Sequence, residues 1–468
     1  MLFQKKTMLD ANKTLSSIYK LVNKEIILNK TYGLPPNSSY LDDICQKVGA
    51  ENYSKLESIS NNHKIASKPL VILIASNIKN SGGHSSFIDD LVGINEKEIL
   101  VLLTNIGGNT DFKAIREKYK NLKKVKIIKS PNGNFLKKLN WIQNNLINLN
   151  PSYVYLVNSN EDSVAIASVQ PEKSYQVKFF HHADDRLSLG SSIKYFRHFD
   201  LNPNCFFHCR DFLKHSSNVY LPLTSYDFGV SKSSHLISKK EGLISCTVAS
   251  FNKIEVNYYV NYKNYVHKIL KASKGKHIHV GKLSFYSLLY IRISMFLNNI
   301  SQNRFVYFRN TESVWKFFLK NKVNLYIGSF PYGAGKTIIE AMGAGITLLL
   351  HRNPYARIYG GVDLAYKGVL KWTDPKDLLK IINEINNKSL VKHSIKSREH
   401  YEKFHKLKKF REILFLEKNY PHTLNKINSS KFSDHKEKKY NSSNLINKLR
   451  LFFWIKFRET KNLFSMYL

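Results

Sequence analysis

The stretch "KPLVILIAS" (68–76) places six consecutive aliphatic residues, Leu70 to Ala75, between polar flanks. A short apolar run with no alternation is the pattern of a strand covered on both faces. Three more runs follow: "EILVLLTN" (98–105), "KVKIIKS" (124–130) and "SYVYLVNS" (152–159). Helix-length segments such as "NFLKKLNWIQNNLINL" (134–149) separate them. Strands that alternate with helices make an open parallel α/β sheet. After a polar linker (221–242) a second series begins: "LISCTVAS" (243–250), a helix expected over about 255–273, then "KHIHVGK" (276–282), "RFVYFRN" (304–310), "NLYIGS" (324–329) and "ITLLLH" (346–351).

The fold class is therefore α/β, with two Rossmann-like domains facing a cleft. The expected boundaries are a helical extension at 1–66, an N-terminal domain at 67–230, a C-terminal domain at 240–395, and terminal helices with a basic tail at 396–468. A length of 468 residues and 43% hydrophobic content suit two buried cores and exclude a disordered chain.

Lys and Arg number 72 against 35 Asp and Glu, a formal charge of +37. Such an excess favours polyanionic partners, from nucleic acid to anionic lipid to phosphorylated small molecules. The basic residues are scattered and carry no nucleic-acid-binding signature, so nucleic acid is not an expected partner. The segment 391–468 holds 19 basic and 7 acidic residues, and its end, 444–468, interleaves aromatic and basic positions. This tail is a candidate for peripheral attachment to an anionic membrane surface. The longest apolar stretch, "SFYSLLYIRISMFL" (284–297), carries Arg292 and is too short to span a bilayer. Four cysteines are too few for a disulfide framework, and "CFFHC" (205–209) lacks zinc-knuckle spacing, so Cys205 and Cys209 are expected as core or loop cysteines of a cytoplasmic protein.

Chemistry concentrates in "SFPYGAGKTIIEAMGAG" (329–345), between two of the predicted strands. A strand that ends in Gly333-Ala334-Gly335 and feeds a helix presents unpaired backbone N–H groups at the positive end of the helix dipole, an anion site. Lys336 adds a cation, Thr337 a hydroxyl, and Glu340 a carboxylate one turn on, suited to a ribose diol. The string is neither a P-loop nor a G-x-G-x-x-G turn.

"FPYGAGKTIIEAMGAGITLLL" resembles the donor-binding loop and helix of glycosyltransferases with the GT-B fold. Many of these carry two glutamates around the loop; Glu340 in "EAMGAG" matches the second, and Tyr332 stands at the first. The form is nearest the branch containing O-GlcNAc transferase-like and bacterial cytoplasmic glucosyltransferases, and group 1 glycosyltransferases. "SFNKI" (250–254) resembles the segment whose lysine contacts the nucleotide diphosphate, which implies Lys253. "FFHHADDRLSLG" (179–190) resembles a His-Ala-Asp-His…Leu-Gly block, with Asp185 at the second histidine. "SGGHSSF" (81–87) matches the glycine loop that closes over the sugar. The resemblance spans roughly 68–390.

It implies a hexosyltransferase that uses a nucleotide sugar, expected to be a UDP-sugar, and a surface glycan, lipid-linked glycan or protein as acceptor. His182 is the candidate base, with Asp184 orienting it or acting in its place. Lys253, Gly333, Gly335, Lys336, Thr337 and Glu340 are the candidate donor-binding residues, and Gly82, Gly83 and His84 the sugar or acceptor loop. No cofactor and no metal are expected, because adjacent acids such as those in "FIDDLVG" point apart along their element. The competing expectation is a non-catalytic α/β protein that binds polyanions or membranes through a degenerate site.

Overall fold

The computed structural model describes residues 10–28, 37–59, 70–79, 82–95, 97–108, 110–171, 173–181, 187–231, 236–238, 242–256, 258–354 and 357–416. The tail at 444–468 lies outside them. The first sheet contains β1 (Leu70–Ala75), β2 (Glu98–Leu103), β3 (Val125–Lys129), β4 (Tyr153–Val157), β5 (Gln176–His181), β6 (Arg197–Asp200) and β7 (Val219–Tyr220). The second contains β8 (Ile244–Val248), β9 (Lys276–Val280), β10 (Phe305–Phe308), β11 (Leu325–Ile327), β12 (Thr347–His351) and β13 (Leu370–Trp372). The spatial orders are β3-β2-β1-β4-β5-β6-β7 and β10-β9-β8-β11-β12-β13. Every pairing is parallel. Counted from its own first strand, each sheet begins 3-2-1-4-5-6, the doubly wound Rossmann order.

The helices of the first half are α1 (Ala11–Leu28), α2 (Ser39–Ile59), α3 (Gly83–Ile94), α4 (Phe112–Tyr119), α5 (Phe135–Leu149), α6 (Ser163–Ser168) and α7 (Pro203–Asp211). In the second half are α8 (Phe251–Ile254), α9 (Tyr262–Ser273), α10 (Phe285–Leu297), α11 (Val314–Lys320), α12 (Gly335–Gly343), α13 (Pro375–Glu384), α14 (Asn387–Phe404) and α15 (Leu407–Leu416). The helix expected over about 255–273 begins only at Tyr262, as α9, after the short α8. The aromatic and β-branched "VNYYVN" (256–261) between them disfavours helix, and Val260 and Tyr262 go into the core instead.

The aliphatic run of β1 explains itself once both faces are covered. Ile72 and Ile74 join a core with α1, α2, α5 and α6. Val71, Leu73 and Ala75 join the opposite core, with α3, α4 and α15. The N-terminal helices are thus built into the first domain rather than extending from it. Leu15, Ile18, Val22, Cys45 and Val48 are all buried there. Gly49 of α2 comes so close to α6 that an added Cβ would lie 1.9 Å from the Ala167 carbonyl.

The last described helix returns to the first sheet. α15 buries Phe410, Ile413 and Leu414 in the second of these cores, and Lys178 Nζ donates to the Leu414 carbonyl at 3.0 Å. The chain therefore crosses between the halves twice, outward after β7 and back after α14. The two crossings touch: the Ser225 amide donates to the His405 carbonyl at 3.1 Å, and Tyr401 Oη donates to the Ser225 carbonyl at 2.8 Å.

Candidate active site

In each sheet the order reverses at one place. β1 lies between β2 and β4, and β8 lies between β9 and β11. Loops leaving neighbouring strands there run in opposite directions, which opens a crevice beyond the strand ends. Gly82, Gly83 and His84 follow β1, Lys253 follows β8, and Gly333 to Thr337 follow β11. These loop residues, singled out in the sequence on both halves, thus fall at the two reversal points.

Within the second half, Lys253 Nζ donates to the Gly333 carbonyl at 3.2 Å. The Gly333 amide donates to the Tyr359 carbonyl at 2.5 Å, and a Cβ at Gly333 would sit 2.7 Å from the Gly360 carbonyl. Glycine is needed here for backbone to meet backbone. Tyr332, at the place of the family's first glutamate, is buried edge-on to Tyr359 with ring centroids 4.7 Å apart. α12 begins at Gly335 with no side chain capping it, since Ala334 has none to offer. Thr337 is buried in its first turn. Burial pushes the Glu340 carboxyl up to about 7, against the pull of Lys336.

The two glycine loops face each other. A Cβ at Gly83 would lie 4.0 Å from Lys336 Cβ. Gly82 has φ 123°, open to glycine, and precedes α3, again with no side-chain cap. His84 Nε2 is 2.9 Å from the carbonyl of Val157, the last residue of β4, and burial lowers its pKa. Lys336 turns toward the first half, where its ammonium meets the Asp90 carboxylate and the Thr224 carbonyl. It ties the domains together, and the two partners occupy two of its three N–H donors. His182 and Asp184 lie outside the described residues.

Cys205 and Cys209 are buried, as core cysteines should be, but not in apolar surroundings. They face His181 from α7, with His198 and Asp200 of β6 alongside. Their members come from three elements, so linear spacing hid the group.

No protein-family model matches the chain, and no curated protein does. Solved structures match across most of its length. HepE from Anabaena, in complex with UDP and glucose, gives a TM-score of 0.52 at 12% identity, over 74% of this chain and 98% of its own. A glycosyltransferase from Rickettsia africae gives 0.54 at 13%, over 75% and 97%. A mutant of S. aureus TarM in complex with fondaparinux, α-GlcNAc-glycerol and UDP gives 0.54 at 12%, over 75% and 99%. The chain has the GT-B fold.

Proposed function

We propose that the chain is a glycosyltransferase that moves a hexose from a UDP-sugar to a surface-glycan, lipid-linked glycan or protein acceptor. The observation that carries this reading is Lys253 reaching the Gly333 loop beside the uncapped start of α12. A leaving nucleoside diphosphate gains negative charge, which a fixed ammonium and a helix N-terminus stabilise as it develops. The same groups would make a cation at the diphosphate unnecessary, so the proposal includes transfer without Mg²⁺ or Mn²⁺. Fold neighbours that hold UDP support the nucleotide. His182 is proposed to take the acceptor proton, with Asp184 orienting its ring.

Thermal melts with UDP and a panel of nucleotide sugars test the reading, since a ligand that binds only the folded state raises stability. UDP and one UDP-sugar should raise the midpoint, and Lys253→Ala should remove most of the shift. No response to any nucleoside diphosphate or nucleotide sugar would sink the proposal. Tyr332 in place of the first glutamate and Asp185 in place of the second histidine favour the second reading, a polyanion- or membrane-binding protein without turnover. Nucleotide-sugar binding with neither transfer nor hydrolysis would select it.

No helix among the described residues is long and apolar enough to cross a membrane. We assign contact with the cytoplasmic membrane face to the tail at 444–468. Its five basic residues Lys448, Arg450, Lys456, Arg458 and Lys461 contribute on the order of 1 kcal/mol each near anionic lipid. Flotation with anionic vesicles should fail after truncation at Asn444; equal flotation of both forms would exclude the tail as anchor.

A further inference from the structure

We propose that the first domain binds one structural zinc ion through His181, His198, Asp200 and Cys209. His181 ends β5, and Asp200 is its direct partner on β6. His198 stands two residues before Asp200 and so shares its face of the sheet. Cys209 comes down onto that face from α7, one helical turn after Cys205. All four side chains are buried to 1% exposure or less. One donor atom from each lies within 4.8 Å of every other.

Three of the six donor–donor separations are close to the edges of a zinc tetrahedron, and the rest are within 4.8 Å. Zinc bonds of about 2.0–2.3 Å to N, O and S set tetrahedral edges of about 3.3–3.8 Å. Asp200 Oδ1 lies 3.3 Å from His181 Nδ1 and 3.2 Å from His198 Nδ1, and Cys209 Sγ lies 3.6 Å from His181 Nδ1. In the wholly buried His198, Nδ1 faces the Asp200 carboxylate and Nε2 has no hydrogen-bond partner among the described residues. An imidazole in that position costs free energy unless something accepts its lone pair.

Charge agrees with geometry. On binding, Zn²⁺ displaces the thiol proton of Cys209 to solvent. The resulting thiolate and the Asp200 carboxylate cancel the dication, leaving a neutral buried group, while two neutral imidazoles complete the shell. Mixed nitrogen, sulfur and oxygen donors with no place for water describe a structural rather than a catalytic site. The ion would pin α7 to β5 and β6. Asn204, at the other end of that helix, donates to Asp363 of the second half at 2.8 Å, so the pinned helix also bears on the domain contact.

The test is metal analysis of the full-length chain after gel filtration in metal-depleted buffer, followed by replacement with Co²⁺. We expect about one zinc per chain. Cobalt should give the strong visible bands of a tetrahedral site and a thiolate-to-metal band in the near ultraviolet. Cys209→Ser should abolish the thiolate band, and His198→Ala should lower the zinc content at least tenfold. Cys246→Ser, in the other sheet, should change neither. Folded wild-type protein that retains no zinc and gives no tetrahedral cobalt spectrum overturns the proposal, whether or not the variants fold. A thiolate band that persists in Cys209→Ser overturns it too.

Discussion

Lys253 and Glu340 face the same task from opposite charge. The lysine, in α8 just after β8, reaches the β11 loop, so its removal should cost the donor a charge-assisted contact of about 1.5–3 kcal/mol. Lys253→Ala should therefore weaken UDP binding by roughly ten- to a hundredfold in calorimetric titration. Glu340 titrates near neutrality, with a folded value of about 7 above the ordinary 4.5. The folded state thus holds this proton more tightly than the unfolded chain. The stability it gives is complete below the ordinary carboxyl range and is lost as pH rises through about 7. A carboxyl group accepts from both hydroxyls of a ribose diol more strongly when ionised, so donor affinity should move the other way and strengthen above neutrality. Melts and titrations from about pH 6 to 8 should show both trends, and Glu340→Gln should flatten both. Should the variant keep the wild-type slopes, Glu340 is not the titrating group. For His182→Ala, turnover should fall while UDP affinity stays within a few-fold; equal loss of both would assign the histidine to structure.

At the scale of elements, the apolar runs of β1, β2, β3, β4, β8, β9, β10, β11 and β12 were legible in the sequence. Burial on two faces explains the continuous hydrophobicity of β1, β2, β4, β11 and β12, while the edge strands β3 and β10 are only partly buried. β5, β6, β7 and β13 were not, because they are short or carry functional-looking polar residues such as His181, His198 and Asp200 in place of aliphatics. The reversal-point loops were legible through their glycines, yet those glycines divide by purpose. Gly333 serves the backbone approach to Tyr359. Gly343, in the same string, serves packing: an added Cβ would lie 1.9 Å from the Trp315 ring, whose indole N–H is held by the Gly229 carbonyl at 2.8 Å. Gly343→Ala should destabilise by about 1–3 kcal/mol in urea unfolding. The UDP response of the folded protein should persist. What the sequence could not disclose was the direction of Lys336. Its place at a helix start invites an anion, but the nearest anion is Asp90, 246 positions away in the chain.

For the whole molecule, that pair is a joint between domains, with side chains only 11% and 4% exposed. Removing one partner strands the other's charge in a poor dielectric, whereas removing both does not. Lys336→Met should cost on the order of 3 kcal/mol, and Lys336→Met with Asp90→Asn markedly less. Additive losses in urea unfolding would show that the two groups do not act on each other.

The adjacency of the two chain crossings sets how the halves can travel. Two cords fixed side by side would permit a swing and resist a slide, so a pivot is expected at the touching pair Ser225 and His405. Displacement in a swing grows with distance from its axis. Lys336, bonded to Thr224, sits next to that axis, and Gly83 sits against Lys336. In such a swing the place where the glycine loops meet should keep its shape, and the far rims of the two sheets should take most of the movement. Paired fluorophores at the rim should report a distance change on nucleotide binding that a pair flanking Thr224 does not; equal changes at both would replace the swing with a translation. The diphosphate would then be gripped at the fulcrum, and the long arm of the lever would be left to the acceptor.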